Sequence, residues 1–97
     1  MKAVSGLLEN LDYQIIKGKP EGEITALVYD SRKVTKDCMF VCIRGAAYDS
    51  HEHVEEITEK GARVIVAERE VEVPAGVTLL LVSDTRYALS LLSAAYF

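Results

Sequence analysis

Apolar positions along this chain recur with two different periods. Val4, Leu7, Leu8 and Leu11 fall at i, i+3, i+4 and i+7, which predicts a short amphipathic helix. Residues 13–17 read as a short strand ended by Gly18 and Pro20, and residues 24–29 as a second strand. The run Cys38-Met39-Phe40-Val41-Cys42-Ile43 is apolar at every position, so it predicts a central strand covered on both faces. Helical spacing returns over residues 51–60, with Val54 and Ile57 toward the core. Asp49 is a good N-cap for that helix, and Glu52 three residues later completes a capping-box pattern. Gly61 follows the last periodic residue, as a C-terminal glycine does. Residues 62–67 read as a strand, so residues 38–67 form a βαβ unit with a right-handed crossover. A charged loop over residues 68–76 carries Pro74 and leads to a buried strand at 78–82. Asp84 then caps a last helix whose apolar stripe is Ala88, Leu91, Leu92 and Ala95. Strands alternating with helices predict an α/β sandwich.

Composition narrows the class. At 97 residues the chain has material for one domain, and 49% hydrophobic residues with only two prolines is a folding composition. The last helix runs into Tyr96-Phe97 without a glycine, a proline or a basic last turn, which suggests one domain of a longer protein. The net charge is −4 and the basic residues are scattered, against a nucleic-acid binder, which needs a basic stripe. The apolar runs are far too short to span a membrane, and MKAVSGLLEN lacks the apolar core of a signal peptide. The expected location is the cytoplasm, with no nucleic-acid partner and no membrane span.

Candidate chemistry gathers where strands end. Cys38 and Cys42 stand four residues apart in one strand, about 13 Å at about 3.3 Å per residue, too far for a disulfide. They read as buried, reduced thiols. Asp30-Ser31-Arg32 closes the second strand: Asp30 and Ser31 can set a turn through nearby backbone N–H groups. Arg32 can pair with Asp30, with Asp49 or with a ligand phosphate. The segment Gly45-Ala46-Ala47-Tyr48-Asp49-Ser50 closes the third strand and reads either as a plain strand-to-helix connection or as a binding loop. Gly45 permits unusual backbone geometry, Ala46 and Ala47 leave the main chain approachable, and Tyr48 offers a ring for stacking. His51 and His53, two apart, do not face each other on a helix. His51 instead suits a role in orienting the preceding loop. Glu55, Glu56 and Glu59 read as a solvated helix face. No phosphate loop, nucleophile elbow, H-E-x-x-H zinc motif or dinucleotide fingerprint occurs. Taken alone, the domain reads as a binding unit without a catalytic site.

The most specific signal is an ordered series: YDSRKV at 29–34, DCMFVCIRG at 37–45, DSH at 49–51, KGARVIVAE at 60–68 and LVSDTRYALSLLSAAYF at 81–97. Together these resemble the N-terminal domain of the Mur ligases, over about residues 24–97 with a weaker echo in the first helix. The resemblance implies a small α/β sandwich with a mixed, partly parallel sheet flanked by helices. It also implies a three-domain ligase of peptidoglycan precursor synthesis, of which residues 1–97 are the UDP-substrate-binding domain. ATP and magnesium would then bind on a second domain and the incoming amino acid on a third, with no cofactor on this one. Within the family, YDSR, FVCIRG and the DTRYAL helix favour the branch that adds diaminopimelate or lysine. Its substrate is UDP-N-acetylmuramoyl-L-alanyl-D-glutamate, and it works through an acyl phosphate. The sister branch, which adds the terminal D-Ala-D-Ala dipeptide, shares much of the series. By motif, Ser31 matches a serine that contacts the UDP-sugar, and Tyr29 a position beside the uracil. Ala46, Ala47 and Tyr48 match the stretch that wraps uracil and ribose. Asp30, Arg32, Gly45 and Asp49 would support them. Two departures stand out: the family's usual D-G-H is Asp49-Ser50-His51 here, and its usual P-G-D is Thr35-Lys36-Asp37. The reading from another class is a freestanding α/β interaction module without a small-molecule site.

Overall fold

Parallel strand pairs, each buried on both faces, build the centre of the fold. The structure is a computed structural model describing residues 2–97. In chain order its elements are β1 (Lys2–Ala3), α1 (Val4–Leu7), β2 (Gln14–Lys17), β3 (Glu23–Ile24), β4 (Leu27–Val28), β5 (Met39–Val41), α2 (Val54–Glu59), β6 (Val64–Ala67), β7 (Thr78–Leu81) and α3 (Thr85–Tyr96). Single 3-10 turns lie at Ser31–Lys33 and Ser50–His53. The main sheet has the order β2-β7-β6-β5-β4. Its β4–β5, β5–β6 and β6–β7 pairs are parallel, and β2 closes one edge antiparallel to β7. The sheet is thus mixed and mostly parallel, with helices on both sides.

Period-2 alternation along β5 and β6 divides the core. Met39, Val41, Val64 and Val66 face one layer with Leu80, Ala88, Leu92 and the α1 stripe Val4, Leu7, Leu8 and Leu11. Phe40, Cys42, Ile65 and Ala67 face the other, against Val54 and Ile57 of α2. All of these side chains are buried. Burying strands on both faces is what a continuous apolar run encodes.

Three elements depart from the expected limits. The strand expected at 24–29 divides, because its two halves pair with different partners. Ile24 aligns with Lys2 in a small antiparallel ribbon, whereas Leu27 and Val28 pair with β5. Between them Thr25 N–H donates to the Asp37 carbonyl (3.0 Å) and its hydroxyl to the Lys36 carbonyl (2.6 Å). The first helix stops at Leu7 although all four stripe residues are buried. Gly6 and the Asn10-Leu11-Asp12 segment are poor helix material. The helix expected at 51–60 begins as a 3-10 turn and becomes α-helical only over Val54–Glu59. Asp49 caps its start, but not as a capping box: its carboxylate accepts from His51 N–H (3.0 Å), and Glu52 N–H goes to the Asp49 carbonyl (3.1 Å).

Gly61 ends this helix with φ at 122°. A Cβ there would lie 2.7 Å from Lys36 Cα, so both the backbone angle and the close approach require glycine. Asp37, donating its N–H to the Gly61 carbonyl at 2.8 Å, has φ at 64°, a conformation that Asp tolerates better than most residues.

Candidate functional site

β4 and β5 are adjacent and parallel, so the segments leaving their carboxyl ends rise side by side, as in the crevices where α/β sheets hold ligands. The β4 segment is set by Asp30. Its carboxylate accepts from Arg32 N–H at 2.9 Å and from the Arg32 fork at 3.1 Å (Nε) and 2.8 Å (Nη2). The Arg32 side-chain bonds, then its backbone N–H, hold the Asp30 carboxyl down at about 2. Of the partners open to Arg32 from sequence, the fold selects Asp30.

The β5 segment is a stapled finger. Ser50 Oγ accepts from Ile43 N–H at 2.8 Å and donates to the Ile43 carbonyl at 3.0 Å. Ser50 N–H adds a third bond to that carbonyl at 3.2 Å, and Gly45 N–H donates to the Tyr48 carbonyl at 2.8 Å. Ala46 and Ala47 are left exposed at the tip. Tyr48 folds back, its ring stacked on His53 with centroids 4.5 Å apart and planes 8° from parallel. Its hydroxyl donates to Ser31 Oγ at 3.2 Å. The two segments therefore touch through the side chains of Ser31 and Tyr48.

Between them and the start of α3 lies a cleft of about 760 Å³. Tyr29, Asp30, Ser31, Arg32, Gly45 and Tyr48 line it. Ala46 and Ala47 do not line it, and Asp49 sits beneath the loop with its side chain mostly covered. Four further residues complete the wall: Ile43, Ser50, Arg86 and Leu89. Ile43 precedes the expected loop and Ser50 is its last residue, and the bonds between these two bring the ends of the loop together. Arg86 and Leu89 come from α3, some forty residues later. Nothing in their local spacing announces the approach.

A polar relay anchored on buried His51 and Thr85 joins the loop to α3. Glu68 N–H donates to His51 Nε2 at 2.9 Å, so the ring proton belongs on Nδ1, which faces Asp49 Oδ1 at 2.7 Å. Arg69 reaches the other Asp49 oxygen at 3.0 Å. Desolvation raises the Asp49 carboxyl, but bonds from the His51 ring, the His51 N–H and Arg69 outweigh it and hold the group at about 2. Glu68 in turn accepts from Thr85 N–H (3.1 Å) and Thr85 Oγ1 (2.6 Å), and these bonds lower its carboxyl too. Asp84 Oδ1 accepts from Tyr87 N–H at 3.1 Å, completing the α3 cap. His51 thus ties the loop to the end of β6, and Glu68 ties that strand end to the helix bearing Arg86.

Cys38 and Cys42 are buried and unpaired. Burial pushes both thiols up, Cys42 to about 12, which removes them as nucleophiles. Among the described residues no group of three His, Cys, Asp or Glu side chains is placed to hold a metal ion. No helix there is long and apolar enough to cross a membrane.

Comparison with known proteins adds the family. Residues 23–97 match the sequence profile described as Mur ligase family, catalytic domain. The chain is 36% identical over 94 residues to the UDP-N-acetylmuramoyl-L-alanyl-D-glutamate–2,6-diaminopimelate ligase of Clostridium perfringens, covering 97% of this chain and 19% of that protein. The enzyme of the same name from Syntrophomonas wolfei is 39% identical over 97 residues, covering 100% and 20%. Among solved structures, MurF from Acinetobacter baumannii superposes with a TM-score of 0.80 at 28% identity, covering 97% of this chain and 20% of that one. MurF ligase from Thermotoga maritima, solved in complex with ADP, gives 0.61 at 28% identity over 70% of this chain and 16% of that one. The chain spans about a fifth of the length of the curated relatives it matches.

Proposed function

The chain belongs to the Mur ligase family, and on that footing we propose that residues 1–97 are the N-terminal, UDP-substrate-binding domain of a three-domain peptidoglycan-precursor ligase. The observation that carries this reading is the meeting of Ser31 and Tyr48 across a cleft at the carboxyl ends of adjacent parallel strands. The cleft volume suits a small-molecule ligand. In this reading the uracil and ribose dock against the loop 45–50, with Ala46 and Ala47 at its rim. Tyr48 lies over the base, and Tyr29 and Ser31 form the facing wall. Asp30, Arg32, Gly45 and Asp49 hold the two segments in shape.

The substrate is then UDP-N-acetylmuramoyl-L-alanyl-D-glutamate, and the full-length, cytoplasmic enzyme adds diaminopimelate or lysine to it. The names of the curated relatives favour diaminopimelate. ATP and magnesium would act on the central domain, as the family resemblance implies, and the sequence here carries no phosphate-loop motif. The part of this chain is to anchor the nucleotide end so that the peptide end is presented elsewhere. A second reading, the branch that adds D-alanyl-D-alanine, draws support from the fold match to MurF. The higher identity to the diaminopimelate ligases favours the first.

Amide chemical-shift mapping of the 97-residue chain during a UDP titration tests the site. Perturbations should centre on Tyr29, Ser31 and residues 45–50. A response confined to residues 68–76, or none at millimolar UDP, would return the chain to the class of interaction modules.

A further inference from the structure

We propose that Arg86 is the residue that recognises the diphosphate of the nucleotide substrate. The inference rests on the proposed nucleotide site and assigns a specificity group within it. Two cations line the cleft, Arg32 and Arg86. The Arg32 fork is already spent on both oxygens of Asp30. Two cations outside the lining are committed as well, and Arg44, exposed beside Gly45, does not line the cleft. Arg69 is held by Asp49 at 3.0 Å, and Lys60 is shared between Glu56 at 3.6 Å and the Ser31 carbonyl at 3.3 Å. Arg86 has no carboxylate partner among the described residues, and its one bond is a long contact of 3.4 Å to the Arg44 carbonyl. It is an exposed guanidinium on the cleft wall whose fork no carboxylate of the described residues occupies.

Its backbone position is nevertheless fixed. Thr85, immediately before it, is fully buried and held twice by Glu68, and Asp84 caps the same helix turn. A planar fork on a rigid stem suits a doubly charged phosphate ester better than a flexible ammonium does. The need for such a group is acute, because the chain carries a net charge of −4 and offers an anion no general attraction. Leu89, one helical turn further on, and Ile43 supply apolar wall, so the lining combines the aromatic ring of Tyr48 with the cation of Arg86. A nucleoside diphosphate carries the matching pair of features, a flat base for stacking and a charged diphosphate.

The test is a comparison of uridine, uridine monophosphate and UDP binding to wild type and Arg86→Gln, read by amide shifts or calorimetry. Wild type should bind UDP about tenfold or more tightly than uridine, and Arg86→Gln should erase that increment while leaving uridine affinity unchanged. The exposed position makes Arg86→Gln a mild change, and an unaltered amide spectrum outside the cleft confirms its fold. If uridine binds both proteins equally and UDP keeps its advantage in Arg86→Gln, the assignment of Arg86 is overturned while the nucleotide site stands. If uridine and UDP perturb no cleft residue in wild type, the site itself fails and Arg86 with it. Equal losses of uridine and UDP in Arg86→Gln overturn the diphosphate role in favour of a general effect on the cleft.

Discussion

The hydroxyl of Tyr48 donates to Ser31 Oγ at 3.2 Å, joining loops that leave two adjacent parallel strands. Seventeen residues apart in sequence, the two side chains close one end of the cleft. Because His53 already stacks on one face of the Tyr48 ring, that ring is held in place before any base arrives, which lowers the ordering cost of binding.

Ser31 and Tyr48 should therefore act as a unit. Ser31→Ala and Tyr48→Phe are each expected to weaken UDP binding by about 0.5–1.5 kcal/mol, the net worth of one hydrogen bond. The double variant should lose less than the sum, since either change breaks the shared bond. A double-mutant cycle on UDP affinity makes the measurement, and strict additivity would show that the two residues act independently.

Acid should loosen the relay beneath the loop. The Asp49 carboxyl sits at about 2 in the folded protein, below its ordinary 3.8. A depressed carboxylate contributes stability that is present above its unfolded value and lost as pH falls through its folded value. Denaturant melts should show stability declining from about pH 4 toward pH 2. Asp49→Asn should be less stable at neutral pH and flatter across that window. An Asp49→Asn protein that follows the wild-type acid profile would remove Asp49 as its cause.

Cys38 and Cys42 should resist thiol reagents in the native state. Both are fully buried, and the thiolate that reagents attack is suppressed by burial. Modification with a disulfide reagent should proceed at the rate of unfolding, slow at neutral pH and rapid in denaturant. Rapid native-state labelling of both would contradict the burial.

Much of the fold was legible because its core strands carry unbroken apolar runs. Met39, Phe40 and Val41 alternate between two buried layers as a doubly covered strand must. What sequence could not show was partner exchange: Ile24 and Val28 look like one strand but serve two sheets. The cleft divides in the same way. Ser31, Gly45 and Tyr48 were readable because small and aromatic residues at strand ends are local patterns, whereas Tyr29 came only from the family resemblance. Arg86 was not, because it reaches the cleft only through the packing of α3 on the sheet. The direction of Arg32 was also open, since three anions were in reach by sequence and only geometry gives its fork to Asp30.

Ser50 provides the sharpest test of how the loop is built. The resemblance implies a glycine at this position, yet here the serine is buried and its hydroxyl makes one accepting and one donating bond, both to Ile43. Ile43 N–H has Ser50 Oγ as its acceptor, so removing the hydroxyl leaves a part-buried donor without its partner. Ser50→Gly should cost about 1–3 kcal/mol, the range for an unsatisfied buried group, with glycine's added backbone freedom making it worse than Ser50→Ala. Because both ends of the loop are pinned through this side chain, the same variants should weaken UDP binding and broaden the amide signals of residues 45–48. Thermal melts, UDP titration and amide line widths are read together on the two variants. If Ser50→Gly matches wild type in stability and in loop order, the finger is held by its backbone bonds alone and the serine is dispensable.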